Sequence, residues 1–263
     1  MGGMASRPAA SFVSASYHRC CIAIAFARCV QPGRINRDGL IGTIDGSERL
    51  MNSYARPAPS HASYIVTDIE ADGPDPGANS MISLASVARG EDGEDQGEFT
   101  VNFELLDGAS SDPGTMAWWS GHSHEWQQAR EAPVAPALAL RAWADWALSR
   151  PGVPVFVSHP ISFDGAWLDY YLQRFLGRRL FIRPRDPGLF HGTGVDIPSM
   201  VMAATGWSYL DCKREKYPPE WFGGHHHTHH ALQDTLGYAH LFGMLRRGEI
   251  GAGVEPVAGV AAG

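Results

Sequence analysis

Tyr64-Ile65-Val66-Thr67-Asp68-Ile69-Glu70 is the stretch that decides the fold. Its β-branched and aromatic residues predict a strand that needs burial. Successive side chains on a strand point to opposite faces, so Asp68 and Glu70, two apart, share one side. Two carboxylates on one side of an otherwise apolar strand are either a solvated strand end or half of a cation site. Downstream, residues 71–80 carry Gly73, Pro74, Pro76 and Gly77 and read as a loop. Residues 81–88 predict a second strand, residues 90–97 an acidic turn, and residues 99–105 a third strand with Phe99, Val101 and Phe103 alternating. The expected start is a three-strand antiparallel meander.

Helical patterning follows. Residues 115–130 and 136–149 place apolar residues at helical spacing, among them Leu138, Ala142, Trp143 and Trp146, before Pro151-Gly152 breaks the pattern. Residues 153–158 predict a short buried strand. Residues 163–176 predict a helix with Trp167, Leu168, Tyr171 and Leu172 inward. A short strand over 194–197, a helical turn over 199–205, a polar loop over 211–224 and a last helix over 228–246 complete the reading. Strands first, then helix alternating with strand, imply an α/β domain on a mixed sheet.

The rest of the chain bounds the function. Its 263 residues suffice for one sizeable core, and the formal charge is −7. That charge disfavours direct phosphate binding unless bound cations supply the positive field. No apolar run approaches the roughly 20 residues that span a bilayer, so no membrane partner is expected. Residues 1–50 differ from the remainder: Arg7, Arg19, Arg28, Arg34 and Arg37 all precede the first acid, Asp38. They read as a targeting leader, as a short signal-like segment, or as a disordered extension before a true start at Met51. The last is the reading favoured here, with residues 1–60 set apart as an extension and residues 247–263 as a flexible tail. Three of the four cysteines, Cys20, Cys21 and Cys29, fall in that extension, leaving Cys212. This is no disulfide framework and suits a reducing, cytoplasmic setting.

Two further acidic positions matter. Asp164 follows Ser162-Phe163 where the strand over 153–158 gives way to a helix, and strand C-terminal ends are where α/β folds build sites. Its bland reading is a helix cap. Asp234 lies one turn into the last helix, with His229 five residues before it. The run His225, His226, His227, His229, His230 reads as a chelating surface loop or as a second metal site. Trp118 and Trp119 read as core or as platforms for base stacking, and Phe163 as a wall beside Asp164.

Taken in order, Asp68-x-Glu70, Asp164 and His229-x4-Asp234 resemble the DEDDh 3′-5′ exonuclease superfamily, which includes RNase T, oligoribonuclease and the proofreading subunit of DNA polymerase. The resemblance covers about residues 64–242. Trp118-Trp119 after Thr115 adds a likeness to a bacterial and phage branch typified by a mycobacterial 3′-5′ exoribonuclease. Two departures stand out. Pro160 occupies a position often held by Asn, and Ala71-Asp72-Gly73 replaces the usual Thr-rich run.

The resemblance implies an RNase H-like mixed five-stranded sheet flanked by helices, with the exonuclease domain over residues 61–246. It implies two Mg²⁺ or Mn²⁺ ions held by Asp68, Glu70, Asp164 and Asp234, with His229 as general base. It implies 3′ ends of single-stranded RNA or DNA as partners, RNA ahead of DNA, contacts from Phe163, Trp118 and Trp119, and a homodimer as a candidate assembly. The alternatives are a proofreading-like exodeoxyribonuclease and a binding module that keeps the fold without catalysis.

Overall fold

The computed structural model describes residues 61–257. The expectations for the leader, for Met51 and for residues 258–263 lie outside them. Five strands form one sheet in the order β3-β2-β1-β4-β5. β1 (Ala62–Ala71) is the middle strand. β2 (Met81–Gly90) pairs with it antiparallel, setting Asp68 opposite Ala85 and Glu70 opposite Ser83, and β3 (Asp95–Asn102) adds antiparallel to β2. β4 (Val153–Ser158) runs parallel to β1, and β5 (Val195–Asp196) parallel to β4. Parallel neighbours need crossovers. Helices α1 (Pro113–Trp119), α2 (Ser123–Ala129) and α3 (Pro136–Leu148) precede β4, and α4 (Ile161–Leu176) joins β4 to β5. α5 (Ile197–Thr205) and α6 (Ala231–Arg247) follow. The fold is the expected mixed five-stranded α/β sheet flanked by helices.

The two-residue period of β1 divides the core. Ile65 and Ile69 face Leu140 and Trp143 of α3 and Trp167 and Leu168 of α4. Val66 faces Ile197 and Val201 of α5 and Tyr238, Leu241 and Phe242 of α6. Asp68 and Glu70 continue the alternation on the Val66 side, so β1 aims its acids towards the helix that carries Asp234.

Four local expectations are corrected. The single helix over 115–130 is two, because Ser120 turns its hydroxyl onto the Ala117 carbonyl and Gly121, a poor helix former, follows. The third strand runs earlier, over Asp95–Asn102. The polar loop over 211–224 is a chain of 3₁₀ turns that buries Tyr217, Trp221 and Phe222 against α6. The tail is docked as far as residue 257: Ile250 is buried, the Trp207 indole donates to the Val254 carbonyl at 2.6 Å, and the Val257 N–H donates to the Lys216 carbonyl at 2.9 Å. Among the described residues no helix is long and apolar enough to cross a membrane.

Candidate metal centre

β4 stops at Ser158 while β1 runs on to Ala71. At the level of Ile69 a side chain takes over from the strand: the Ile69 N–H donates to Asp164 Oδ1 at 3.4 Å. Asp164 sits in the first turn of α4 and is 2% exposed. It is not the helix cap, because Asp196 at the end of β5 accepts from the Ile161 N–H at 3.1 Å. From the other side, the first turn of α6 brings in Asp234, 4% exposed. Asp68, Glu70 and Asp234 each offer an oxygen, and these atoms lie within 4.8 Å of one another. Asp68 and Glu70 keep some contact with solvent although protein surrounds them densely.

Crowding raises the proton affinity of these acids. Asp68 is held well above the carboxylate range, first by burial, then by the charges of Asp164, Glu70 and Asp234, with Arg214 pulling the other way. Glu70 is raised well above its usual value by burial, then by Asp234 and Asp164. Burial pushes Asp164 up to about 7, against the pull of the Ile69 N–H and of the Ser158 hydroxyl and His159 backbone nearby. Asp164 Oδ2 is buried and makes no hydrogen bond of normal geometry, although the Ser158 hydroxyl lies near. An orphaned carboxylate oxygen beside three converging carboxylates is a hard-oxygen donor set short of positive charge, which fits Mg²⁺ or Mn²⁺.

Residues 225–230 close the site from above. The N–H groups of Thr228 and His229 donate to Asp234 Oδ1 and Oδ2 at 3.0 and 3.1 Å, and His227 Nδ1 lies 2.6 Å from Oδ2. His229 has a left-handed backbone, φ 56°. Its ring lies 4.0 Å from that of His227, 4.5 Å from Trp118 and 4.8 Å from His122. Burial, then His227, lowers its pKa to about 4, so the imidazole is neutral at neutral pH. His230 is the N-cap of α6, and its carbonyl accepts from the Asp234 N–H; its ring is not part of the His227, His229, Asp234 group.

The adjacent tryptophans part company. Trp118 is 42% exposed and stacks on His122 at 4.2 Å. Trp119 is 2% exposed, packs with Ile82 and Ala129, and donates to the Ala71 carbonyl at 3.0 Å. A stacking role for Trp119 is therefore corrected: it is an anchor for the end of β1. Phe163 stays partly exposed beside Trp167. Arg214 joins the site unannounced by any motif: its charge reaches Asp68 and its guanidinium lies 4.4 Å over the Phe222 ring. So does Tyr238, four residues after Asp234 on α6, stacked on His159 at 4.8 Å. The i, i+4 spacing could have flagged Tyr238. Nothing local could have flagged Arg214. Asp72, one of the departures noted above, is buried structure: its carboxylate accepts from the Ser80 N–H at 2.5 Å and the Ser111 hydroxyl at 2.8 Å, pinning the loop after β1.

No protein-family model and no curated protein matches this chain. Solved structures do. The nuclease domain of 3'hExo, a DEDDh family member bound to rAMP, aligns at TM-score 0.50 and 11% identity over 77% of this chain and 100% of that one. A 3'-exonuclease studied for 3'-end specific recognition of histone mRNA stem-loop aligns at 0.50 and 13%, over 77% and 70%. E. coli exonuclease I in complex with a dT13 oligonucleotide aligns at 0.51 and 16%, over 70% of this chain but 40% of that one. At such identities the likeness is one of fold, and the chain has the RNase H-like α/β fold of these exonuclease structures.

Proposed function

We propose that this protein is a metal-dependent 3′-5′ exonuclease of the DEDDh type, acting on single-stranded ends with RNA preferred. The observation that carries the reading is the convergence of Asp68, Glu70 and Asp234 within 4.8 Å, with buried Asp164 beside them, on a fold shared with exonucleases. Asp68, Glu70, Asp164 and Asp234 would hold two Mg²⁺ or Mn²⁺ ions. Such a pair supplies an activated water and neutralises charge on the phosphodiester. His229, beside Asp234 and unprotonated at neutral pH, would take the proton from the attacking water. Trp118 and Phe163, both partly exposed, serve as walls for the terminal nucleotide. Arg214 adds a positive side chain whose charge reaches Asp68, suited to a phosphate. The preference for RNA rests on the likeness to the exoribonuclease branch.

The test is a time course with Mg²⁺ or Mn²⁺ on 5′-labelled single-stranded RNA, matched DNA and a covalently closed circle. Mononucleotides released from 3′ ends, faster from RNA, with the circle intact and EDTA silencing the reaction, is the expected result. Cleavage of the circle rejects the exonuclease reading. Faster DNA decay reassigns the substrate.

A further inference from the structure

His227, His229 and Asp234 present three ligand atoms within 4.8 Å of one another, and two of the three are imidazole nitrogens. This donor set differs in kind from the carboxylates below it. Imidazole favours borderline-soft cations, whereas carboxylate oxygen favours Mg²⁺. Tetrahedral zinc with bonds near 2.0–2.1 Å spaces its donors about 3.3 Å apart. His227 Nδ1 now lies 2.6 Å from Asp234 Oδ2, so a small opening of that contact admits an ion between them. The backbone is arranged for it. The N–H groups of Thr228 and His229 hold both oxygens of Asp234, the kind of outer support that fixes a metal-binding carboxylate. His229 adopts φ 56°, a region costly for a residue with a side chain, and a ring nitrogen lies within 4.8 Å of an Asp234 oxygen. His225 and His226, in the same histidine run, fall outside the group.

We propose that His227, His229 and Asp234 form a binding site for Zn²⁺ or a cation of like softness, and that its occupation silences the carboxylate centre. The silencing follows because Asp234 belongs to both donor sets and His229 is the proposed base. That half rests on the exonuclease reading; the binding half does not.

The experiment uses full-length, tag-free protein stripped with EDTA, titrated with Zn²⁺ by calorimetry and then assayed in excess Mg²⁺ with rising Zn²⁺. Wild type should show a tight Zn²⁺ event that depends on His227, beside any Zn²⁺ taken by the carboxylates. His227→Ala and His227→Gln should each weaken that site by about tenfold or more, since a ligand is lost. The His225→Ala/His226→Ala double variant should bind as wild type. In the assay His227→Ala, scored against its own rate in Mg²⁺ alone, should withstand about tenfold more Zn²⁺ than wild type. Equal Zn²⁺ affinity in wild type and both His227 variants overturns the site, as does loss of binding in the double variant, which would mark tag-like chelation. If the wild type cleaves nothing, calorimetry still decides the site and only the silencing half falls.

Discussion

Asp68, Glu70 and Asp164 ride on regular elements, whereas His227 and His229 ride on a loop between two glycines in left-handed conformation, Gly223 and Gly224, and the start of α6. The carboxylate floor is fixed from behind by the β1 ladder, by the Trp119 anchor on Ala71 and by the cap that Asp196 gives α4. The histidine rim is fixed by few bonds, chiefly those of residues 227–229 to Asp234. Asp234 alone belongs to both. The difference teaches how the parts divide the work: the floor concentrates negative charge at the cost of solvation, and the rim places a neutral imidazole over it. A rigid floor is needed because carboxylates this crowded would otherwise turn to solvent. A looser rim is tolerable because the proposed base, His229, needs only to reach a water.

The comparison is sharpest where a floor residue is removed. Asp68→Asn should lower the exonuclease rate by about 1000-fold or more because it takes away a cation ligand, while leaving the circular dichroism spectrum intact and raising the melting temperature in EDTA because it relieves crowding. A variant cleaving within about tenfold of wild type in Mg²⁺ breaks the four-carboxylate site. The tryptophan pair separates floor from rim by stability. Trp119→Ala should cost about 3–5 kcal/mol in denaturant unfolding, as a fully buried indole with a hydrogen bond to the end of β1. Trp118→Ala should stay within about 1 kcal/mol and show itself in the rate, because its ring steadies His229. Equal destabilisation by the two would mean that the rim is as rigid as the floor.

On the rim itself, His229→Ala should cut the rate about 100-fold or more, the range for a lost general base, and His230→Ala much less. The reverse order in steady-state kinetics would move the base one residue on. The smallest effect is one of pH. The pKa of Asp164 rises from its ordinary 3.8 to about 7 on folding, so the folded chain holds a proton that the unfolded chain has lost between those values. Its contribution to stability is present below the unfolded pKa and is lost as pH rises through about 7, and Asp68 and Glu70 act in the same direction. Thermal melts in EDTA should therefore fall between about pH 5 and pH 8, and saturating Mg²⁺ should restore most at the upper end. Melting that rises with pH in EDTA over this window would contradict the crowding of the acids.

Much of the floor was legible in the sequence because strand and helix periods are local. The two-residue period of β1 put Asp68 and Glu70 on one side before any contact was known, and the turn after residues 153–158 put Asp164 at a strand end. The spacing of His229 to Asp234 could be read for the same reason, being contained in one loop and one helical turn. Other features depend on what approaches from elsewhere in the chain. Trp118 and Trp119 are neighbours in sequence but point to different sides of α1, and only the presence of Ile82 and the Ala71 carbonyl decides which one is buried. The same holds for Arg214, brought to the acids by a chain of 3₁₀ turns, and for the tail, which is held by Trp207 and Lys216. His227 reads as one more surface histidine until Asp234 is found 2.6 Å from its ring nitrogen. Periodicity fixes where a side chain points relative to its own element; which groups meet it there is set by packing between distant segments, and that the tertiary structure alone decided.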